Sequence, residues 1–268
     1  MPGCHDAMSA RLIQEAGFEM GFMSGFAVSA DRLAMPDTGL ISYGELVDQG
    51  QNICRAAPSI PFIGDGDTGF GSAQNIKRTV EGYCLAGFAG IMLEDQMAPK
   101  RCGHTEGKAV VGRDEAYTRI QAAVDARDAG ADILIMARTD ARALVDLDEA
   151  IERCRQFRRI GADITFLEAP LDAGEMRRYC GEVEGPKMAN LIEGGKTPLV
   201  SHEELAAIGY KIAVYPLSLL NVSIKAMREA LMHLAAGRPS GAMEFEALKS
   251  AVGFPAYYAE EARYGRPR

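Results

Sequence analysis

Short runs of apolar residues alternate with amphipathic segments along most of the 268-residue chain. Runs rich in Ile, Leu, Phe and Met are typical of buried strands, and apolar residues three or four positions apart are typical of helices. The pattern predicts strands at 18–23, 61–64, 91–93, 133–137, 164–167, 187–189 and 212–215. It predicts helices at 7–16, 43–57, 73–86, 113–129, 147–160, 173–181, 202–208 and 219–236.

The predicted strands are apolar on both faces and are separated by helices, which indicates an α/β fold with a parallel sheet. Polar or turn residues follow the strands at Ser24, Asp65, Glu94, Arg138, Glu168, Asn190 and 216–218. An α/β barrel builds its site from the carboxyl ends of many strands, whereas a doubly wound sheet concentrates polar groups near one switch point. The sequence therefore favours a (β/α)8 TIM-type barrel.

Two features at the ends of the chain qualify this prediction. Only seven strands are predicted and the chain begins at Met1, so we expect the first barrel strand to be absent or truncated. We predict a single domain over residues 1–268, in which residues 243–268 form a C-terminal helical arm. The apolar and aromatic residues of this arm fit packing on its own barrel and docking on a neighbouring subunit equally well.

The composition narrows the class of protein. A formal net charge of -8 without a basic cluster disfavours nucleic acid as a partner. No apolar run approaches the roughly 20 residues that span a bilayer, and no signal peptide is recognisable, so we expect a cytoplasmic protein without a membrane partner. The six cysteines show no CxxC pair and are expected to be reduced thiols.

Carboxylates at neighbouring strand ends predict a metal site. Asp65 and Asp67 share one face of an extended segment, Glu94 ends the next strand, and Asp37 lies in a loop that can reach the same place. Four carboxylates without as many cations would repel one another, and Mg²⁺ prefers oxygen ligands. Cysteine and histidine do not occur at zinc spacing. The alternative for Asp65 and Asp67 is a simple turn.

Two further groups follow strand ends. Cys102 lies in a loop between Arg101 and His104, and nearby cations are expected to lower the pKa of its thiol. Arg138 ends another strand and could grip a substrate carboxylate in a bidentate manner. The alternative for Arg138 is an ion pair with Asp140 or Glu168.

Together these segments resemble the isocitrate lyase/phosphoenolpyruvate mutase superfamily. The resemblance rests on SGFAVS at 24–29, PD at 36–37, DGDTGFG at 65–71, EDQ at 94–96, KRCGH at 100–104 and ARTD at 137–140. It implies an α/β barrel that uses Mg²⁺, with Mn²⁺ as a substitute. It also implies homotetramers, built as dimers of dimers whose subunits exchange C-terminal helices. The KRCGH loop marks the carbon–carbon lyase branch.

The resemblance also implies roles for individual residues. The metal-site carboxylates are Asp37, Asp65, Asp67 and Glu94, with Asp65 as the direct ligand and the others acting largely through water. The substrate contacts are Ser24, Gly25, Phe26, Cys102, Gly103, Arg138, Glu168 and Asn190. The catalytic residues are Cys102, Arg138, Glu168 and His104, with Cys102 as general acid.

Three positions bear on the substrate. Members that cleave 2-methylisocitrate have an arginine after the segment that ends here at Ser218, and this chain has none. They also have a glycine where this chain has Phe26. Superfamily oxaloacetate hydrolases carry a serine near the position of Pro216. These differences favour a substrate with two carboxylates and a lyase reaction.

The predicted function is Mg²⁺-dependent cleavage of the C2–C3 bond of a 2-hydroxy dicarboxylate, 2,3-dimethylmalate or a similar substituted malate. The products are a 2-oxo acid, such as pyruvate, and a carboxylate. Alternatives are cleavage of 2-methylisocitrate, hydrolysis of oxaloacetate and a carboxyphosphonoenolpyruvate phosphonomutase reaction. A catalytically silent barrel that binds small dicarboxylates is the non-enzymatic alternative, and Cys102 together with all four carboxylates argues against it.

Overall fold

The computed structural model of the chain describes residues 1–104 and 107–265. Within these ranges, parallel strands alternate with helices. The strands are β1 (Gly3–Cys4), β2 (Gly21–Met23), β3 (Phe62–Asp65), β4 (Gly90–Glu94), β5 (Leu134–Thr139), β6 (Ile164–Leu167), β7 (Met188–Asn190) and β8 (Ile212–Val214). The helices are α1 (Ala7–Glu15), α2 (Gly25–Leu33), α3 (Tyr43–Ala56), α4 (Ala73–Ala86), α5 (Arg113–Asp128), α6 (Ala141–Leu144), α7 (Leu147–Ile160), α8 (Ala173–Glu182), α9 (His202–Ile208), α10 (Ser218–Ala235), α11 (Phe245–Ala251) and α12 (Phe254–Tyr264).

The strands close into a barrel. β1 to β6 form one parallel sheet in chain order, and β7 pairs with β8. Isolated parallel bridges between Thr165 and Lys187 and between Pro2 and Tyr215 join these two sheets at both ends. The predicted (β/α)8 barrel is therefore confirmed.

The barrel has a first strand, so of the expectation that this strand is absent or truncated, the absence is wrong and a short strand is present. β1 pairs with β2, with Gly3 opposite Phe22. On its other side, the backbone N–H of Gly3 donates a hydrogen bond of 2.9 Å to the carbonyl of Tyr215. The strand is only two residues long, which leaves too few positions for a hydrophobic pattern to reveal it.

Apolar side chains fill the barrel interior and the layer between the strands and the helices. The interior cluster consists of Phe22, Ile63, Met92, Met136, Ile164, Phe166, Met188 and Val214. Alternate residues on the same strands point outward, so that Ile91 of β4 joins a second cluster with residues such as Val80 of α4. Full burial of one such side chain stabilises the fold by about 1.5–3 kcal/mol, before the cost in entropy.

One helix at the mouth of the barrel was not predicted. The sequence pattern places Ser24 among the polar or turn residues that follow strands, but Ser24 is the N-cap of α2 and its Oγ accepts a hydrogen bond of 3.3 Å from the N–H of Ala27. Serine stabilises a helix N-terminus in this position because it satisfies an amide that the helix leaves unpaired. Ser24 and Gly25 are thus held at the end of β2 by a regular element.

The chain divides into two compact units, Met1–Leu220 and Asn221–Arg268. The first contains the barrel. In the second, α11 and α12 contribute no buried residue. None of the helices in the described part of the chain is long and apolar enough to cross a membrane. The assignment of residues 243–268 to an exchanged arm stays a prediction.

Candidate active site

The register of the strands brings the polar side chains to one end of the barrel. Residues two positions apart on a strand share a face. Each strand from β2 to β8 has an apolar side chain inside the barrel. The residue two positions later therefore also faces the interior, and it lies at the carboxyl end of the strand. These pairs are Phe22 and Ser24, Ile63 and Asp65, Met92 and Glu94, Met136 and Arg138, Phe166 and Glu168, Met188 and Asn190, and Val214 and Pro216.

A cavity lies over this end of the barrel. It is lined by Phe22, Ser24, Phe26, Asp37, Asp65, Met92, Cys102, Gly103, His104, Arg138, Phe166, Glu168, Met188, Asn190, Ile192, Val214, Pro216 and Leu217. Carboxylates, an arginine and a thiol thus face the same cavity. Apolar side chains form the rest of its lining.

Asp65 is held in place by two backbone amides. Its Oδ1 accepts a hydrogen bond of 3.0 Å from the N–H of Asp67, and its Oδ2 accepts one of 3.2 Å from the N–H of Gly25. A Cβ at Gly25 would lie 2.7 Å from Asp65 Oδ2, so only glycine allows this approach of α2. The carboxylate is buried at the cavity wall with a fixed orientation.

Lys100 lies between two other carboxylates. Its Nζ is 2.5 Å from Asp37 Oδ1 and 2.7 Å from Asp67 Oδ1, and all three side chains are buried. Burial raises the pKa of Asp67 to about 7, because the attraction of Lys100 only partly offsets desolvation and the repulsion of Asp65 and Asp37. Sequence reasoning did not assign Lys100 to the site.

Arg138 is surrounded by three carboxylates. Its Nε donates to Asp140 Oδ2 at 2.8 Å, and its Nη2 donates to Asp140 Oδ1 at 3.2 Å. Glu94 Oε2 lies 3.2 Å from Nη1, and Glu168 Oε2 lies 3.2 Å from Nη2. The alternative that Arg138 forms ion pairs with Asp140 and Glu168 therefore describes its contacts in this structure. Its guanidinium also faces the cavity, where it can meet a ligand.

His104, Glu168 and Asn190 form a hydrogen-bonded group. His104 Nδ1 accepts a hydrogen bond of 3.0 Å from the backbone N–H of Lys196, so Nε2 carries the proton and donates to Glu168 Oε1 at 3.0 Å. The side-chain amide of Asn190 donates to both oxygens of Glu168 at 3.2 and 3.3 Å. Although burial favours the neutral acid, Arg138 and His104 lower the pKa of Glu168.

Cys102 lines the cavity with a thiol that is protonated more readily than expected. Burial raises its pKa, and the negative charges of Asp37 and Glu168 act in the same direction. The expectation of a lowered pKa is wrong, because burial outweighs the attraction of Arg138. Lys100 is paired with Asp37 and Asp67, and the histidine ring two positions later is bonded to Glu168.

Comparison with known proteins identifies the family. A family model described as phosphoenolpyruvate phosphomutase matches residues 1–235. 2,3-Dimethylmalate lyase of Eubacterium barkeri is 46% identical over 226 residues, which cover 84% of this chain and 78% of that protein. The chain belongs to the isocitrate lyase/phosphoenolpyruvate mutase superfamily. The predicted family is thus confirmed, and the chain is an enzyme whose relatives are lyases and mutases.

Solved structures of the superfamily share the whole fold. Oxaloacetate acetylhydrolase in complex with 3,3-difluorooxalacetate matches with a TM-score of 0.95 at 34% identity, covering 99% of this chain and 92% of that one. Phosphonopyruvate hydrolase in complex with oxalate and Mg²⁺ matches with a TM-score of 0.86 at 26% identity, covering 99% and 93%.

The carboxylates around the cavity suit a divalent cation, both in their charge and in the oxygen atoms that they offer as ligands. Glu94 Oε1 is buried and accepts no hydrogen bond from any described residue. Burial raises the pKa of Glu94 well above its usual range despite the proximity of Arg138, so the ionised form of this carboxylate lacks the hydration that a bound cation would replace. Carboxylate oxygens are the donors that Mg²⁺ prefers.

The geometry limits how such an ion would be held. Among the described residues, only His5, Asp6 and Asp31 bring three ligand atoms within 4.8 Å of one another, and none of them lines the cavity. The predicted metal carboxylates therefore do not converge as a complete cage. Mg²⁺ usually keeps several waters and few protein ligands, which suits direct binding through Asp65 and contact with the others through water.

The structure separates the predicted site residues into two groups. Those that line the cavity are Ser24, Phe26, Asp37, Asp65, Cys102, Gly103, His104, Arg138, Glu168 and Asn190. Gly25, Asp67 and Glu94 do not line it but contact residues that do: the backbone N–H groups of Gly25 and Asp67 donate to Asp65, and Glu94 pairs with Arg138. Their catalytic, substrate and metal roles stay predictions.

Proposed function

We propose that this enzyme cleaves the C2–C3 bond of a substituted malate, such as 2,3-dimethylmalate, to a 2-oxo acid and a carboxylate. The observation that carries this proposal is the position of Cys102, whose protonated thiol faces the same cavity as Asp65 and Arg138. Such an arrangement can bind a small dianion at one end and deliver a proton at the other. The identity of 46% to a 2,3-dimethylmalate lyase supports the same reaction.

Asp65 is the residue best placed to hold Mg²⁺ directly, with Asp37, Asp67 and Glu94 acting through water. Mn²⁺ is expected to substitute for it. When bound, the metal would act as a Lewis acid that stabilises negative charge developing on the substrate's C2 oxygen. The related phosphonopyruvate hydrolase, which binds oxalate together with Mg²⁺, supports this assignment.

The remaining steps belong to side chains of the chain itself. As the C2 hydroxyl gives its proton to water and its oxygen becomes the C2 carbonyl, the electron pair of the C2–C3 bond moves onto the carboxylate attached to C3, which Arg138 and Asn190 hold. Preorganised donors stabilise such charge because they need no reorientation during the reaction. Cys102 then delivers its proton to C3 as general acid. His104 and Asn190 orient Glu168, which in turn contacts Arg138.

The apolar part of the cavity favours alkyl substituents on the substrate. This part of the lining carries no charge that could bind a third carboxylate. It consists of Phe26, Ile192, Pro216 and Leu217. An alkyl group that leaves water for this wall gains about 0.8 kcal/mol per buried methylene. A third carboxylate placed there would lose its hydration without a cationic partner. The proposed substrates are therefore dicarboxylates.

The decisive experiment is a panel of substrates assayed with Mg²⁺ and with excess chelator. The panel contains 2- and 3-substituted malates, 2-methylisocitrate, isocitrate, oxaloacetate and phosphonopyruvate, with the 2-oxo acid product measured. We expect a substituted malate to give the highest kcat/KM, and only with metal. The proposal would be wrong if isocitrate or 2-methylisocitrate exceeded every malate by about tenfold, equivalent to about 1.4 kcal/mol of transition-state binding.

Hydrolysis of oxaloacetate is the second candidate, because the fold match to oxaloacetate acetylhydrolase has a TM-score of 0.95. Pro216 argues against it, since superfamily hydrolases of this kind carry a serine near that position and Pro216 offers the cavity no hydroxyl. Acetate and oxalate as products from oxaloacetate would favour this candidate over the lyase.

We also propose a homotetramer, a dimer of dimers that exchange C-terminal helices. The support is the character of α11 and α12. Both helices carry large exposed apolar or aromatic side chains, among them Phe245, Phe254, Tyr257 and Tyr258. Clustered exposed apolar residues usually mark an interface. A second copy of the chain would cover them.

A further inference from the structure

Lys108 is a buried cation that neither the sequence motifs nor the proposed mechanism uses. Its side chain is 3% exposed. The Nζ atom donates a hydrogen bond of 2.5 Å to the carbonyl oxygen of Gly103 and one of 2.8 Å to Oδ1 of Asp140. One ammonium group thus connects the segment that carries Cys102 with the end of β5.

Both acceptors are in contact with groups of the cavity. Asp140 holds Arg138 through two hydrogen bonds, and its own backbone N–H donates to Asp95 at 2.9 Å. Gly103 directly follows Cys102, and its backbone is pressed so closely against Glu168 that a Cβ there would lie 2.6 Å from Oε2. Lys108 therefore links the backbone next to Cys102 to the carboxylate that holds Arg138.

We propose that Lys108 is a positioning residue that fixes Cys102 relative to Arg138. The inference deepens the proposed lyase function, because it rests on the role of Cys102 as proton donor. Asp140 already binds Arg138 at both oxygens, and the other acceptor of Lys108 is the backbone of the segment that carries Cys102. The bond to the Gly103 carbonyl is what gives Lys108 control over the thiol.

The first measurement needs no substrate. Iodoacetamide labels the protein, and mass spectrometry of the Cys102 peptide gives the rate at that one thiol. In Lys108→Met the chain length is kept but both hydrogen bonds are lost. We expect alkylation of Cys102 to accelerate about 10- to 100-fold, because a hydrogen bond from a charged donor holds the Gly103 backbone next to the thiol by a corresponding amount. Lys108→Arg, which keeps a charged donor, should restore most of the protection.

The second measurement uses the preferred substrate. In Lys108→Met we expect kcat to fall by about 100-fold, the scale reported for a misplacement of about 1 Å, with KM nearly unchanged. Lys211→Met is the matched control, because Lys211 is exposed and should leave both measurements at wild-type values. Wild-type alkylation and wild-type kcat in Lys108→Met would overturn the proposal, and so would a lowered melting temperature as the only change.

The two readouts separate this proposal from the proposed function. If the wild-type enzyme turned over no member of the substrate panel, the lyase function would fail while the alkylation rates would still test Lys108. If the enzyme were an active lyase whose Cys102 reacted equally fast in Lys108→Met, only the role of Lys108 would fail. If Lys108→Met does not fold, Lys108→Gln replaces it, because glutamine is too short to reach both acceptors. The alkylation rate of Cys102 and kcat then test the proposal in the same way.

Discussion

Asp67 should make the stability of the metal-free enzyme depend on pH. Its carboxylate is 3% exposed, and burial with the repulsion of Asp65 and Asp37 raises its pKa from 3.8 to about 7 despite the ion pair with Lys100. A folded-state pKa above the unfolded one means that the folded protein binds the proton more tightly. The stabilisation is therefore present below about pH 4 and is lost as the pH rises through 7.

The magnitude follows from the size of this difference. One pKa unit corresponds to about 1.4 kcal/mol, so the free energy of unfolding should fall by about 4 kcal/mol between the two pKa values. Within an accessible range, about 2 kcal/mol should be lost between pH 5 and pH 7, and less than about 1 kcal/mol more above pH 7. Asp67→Asn removes the titrating group while keeping its shape.

Urea denaturation in the presence of a chelator measures this effect. The difference in the free energy of unfolding between wild type and Asp67→Asn should move in favour of the variant as the pH rises from 5 to 7. Glu19→Gln, an exposed neutralisation of the same kind, should give a difference that does not vary with pH. At pH 8, added Mg²⁺ should stabilise the wild type more than Asp67→Asn, because the ion binds the folded state. A difference between wild type and Asp67→Asn that is independent of pH would refute the reasoning.

Three further predictions concern the proposed chemistry and assembly. In Cys102→Ser, a much weaker acid replaces the thiol, so kcat should fall about 10²–10⁴-fold with substrate binding largely kept, and wild-type turnover would exclude the proton donor. Asp65→Ala should abolish Mg²⁺-dependent turnover without loss of the circular dichroism spectrum of the barrel, and activity in excess chelator would exclude the metal role. Light scattering should give about 115 kDa, four times the 28.8 kDa chain, whereas a monomer mass would contradict the tetramer.

Elements with a full hydrophobic period could be predicted closely from the sequence. The bounds predicted for the helix at 147–160 and the strand at 164–167 coincide with α7 and β6. The helix is long and the strand is mainly apolar, so in both elements the buried positions determine a recognisable sequence pattern. β1 and α2 were missed for opposite reasons: β1 is held mainly by its backbone pairing, and α2 begins with a Ser-Gly pair that is also typical of a turn.

The same limit applies to the site. Asp65, Glu94 and Glu168 could be placed because each ends a strand, and strand ends meet at one rim of a barrel. The partners of these carboxylates could not. Lys100 and Lys108 lie in a segment without periodicity, so nothing in their spacing indicates which carboxylate each one contacts. The pKa of Cys102 was predicted in the wrong direction because it depends on burial, which is a property of the fold.

The negative and positive charges of the site come from different parts of the chain. Carboxylates such as Asp67 and Asp140 come from the segments that follow strands, whereas the chain between β4 and α5 supplies Lys100 and Lys108 to them. Cys102 lies between these two lysines, so ion pairs on both sides hold the segment that carries the thiol. Buried pairs are screened little by salt, so this arrangement should persist at high ionic strength. His104 adds a further attachment through its hydrogen bonds with Glu168 and the backbone of Lys196, so the segment that carries the thiol is held at several points.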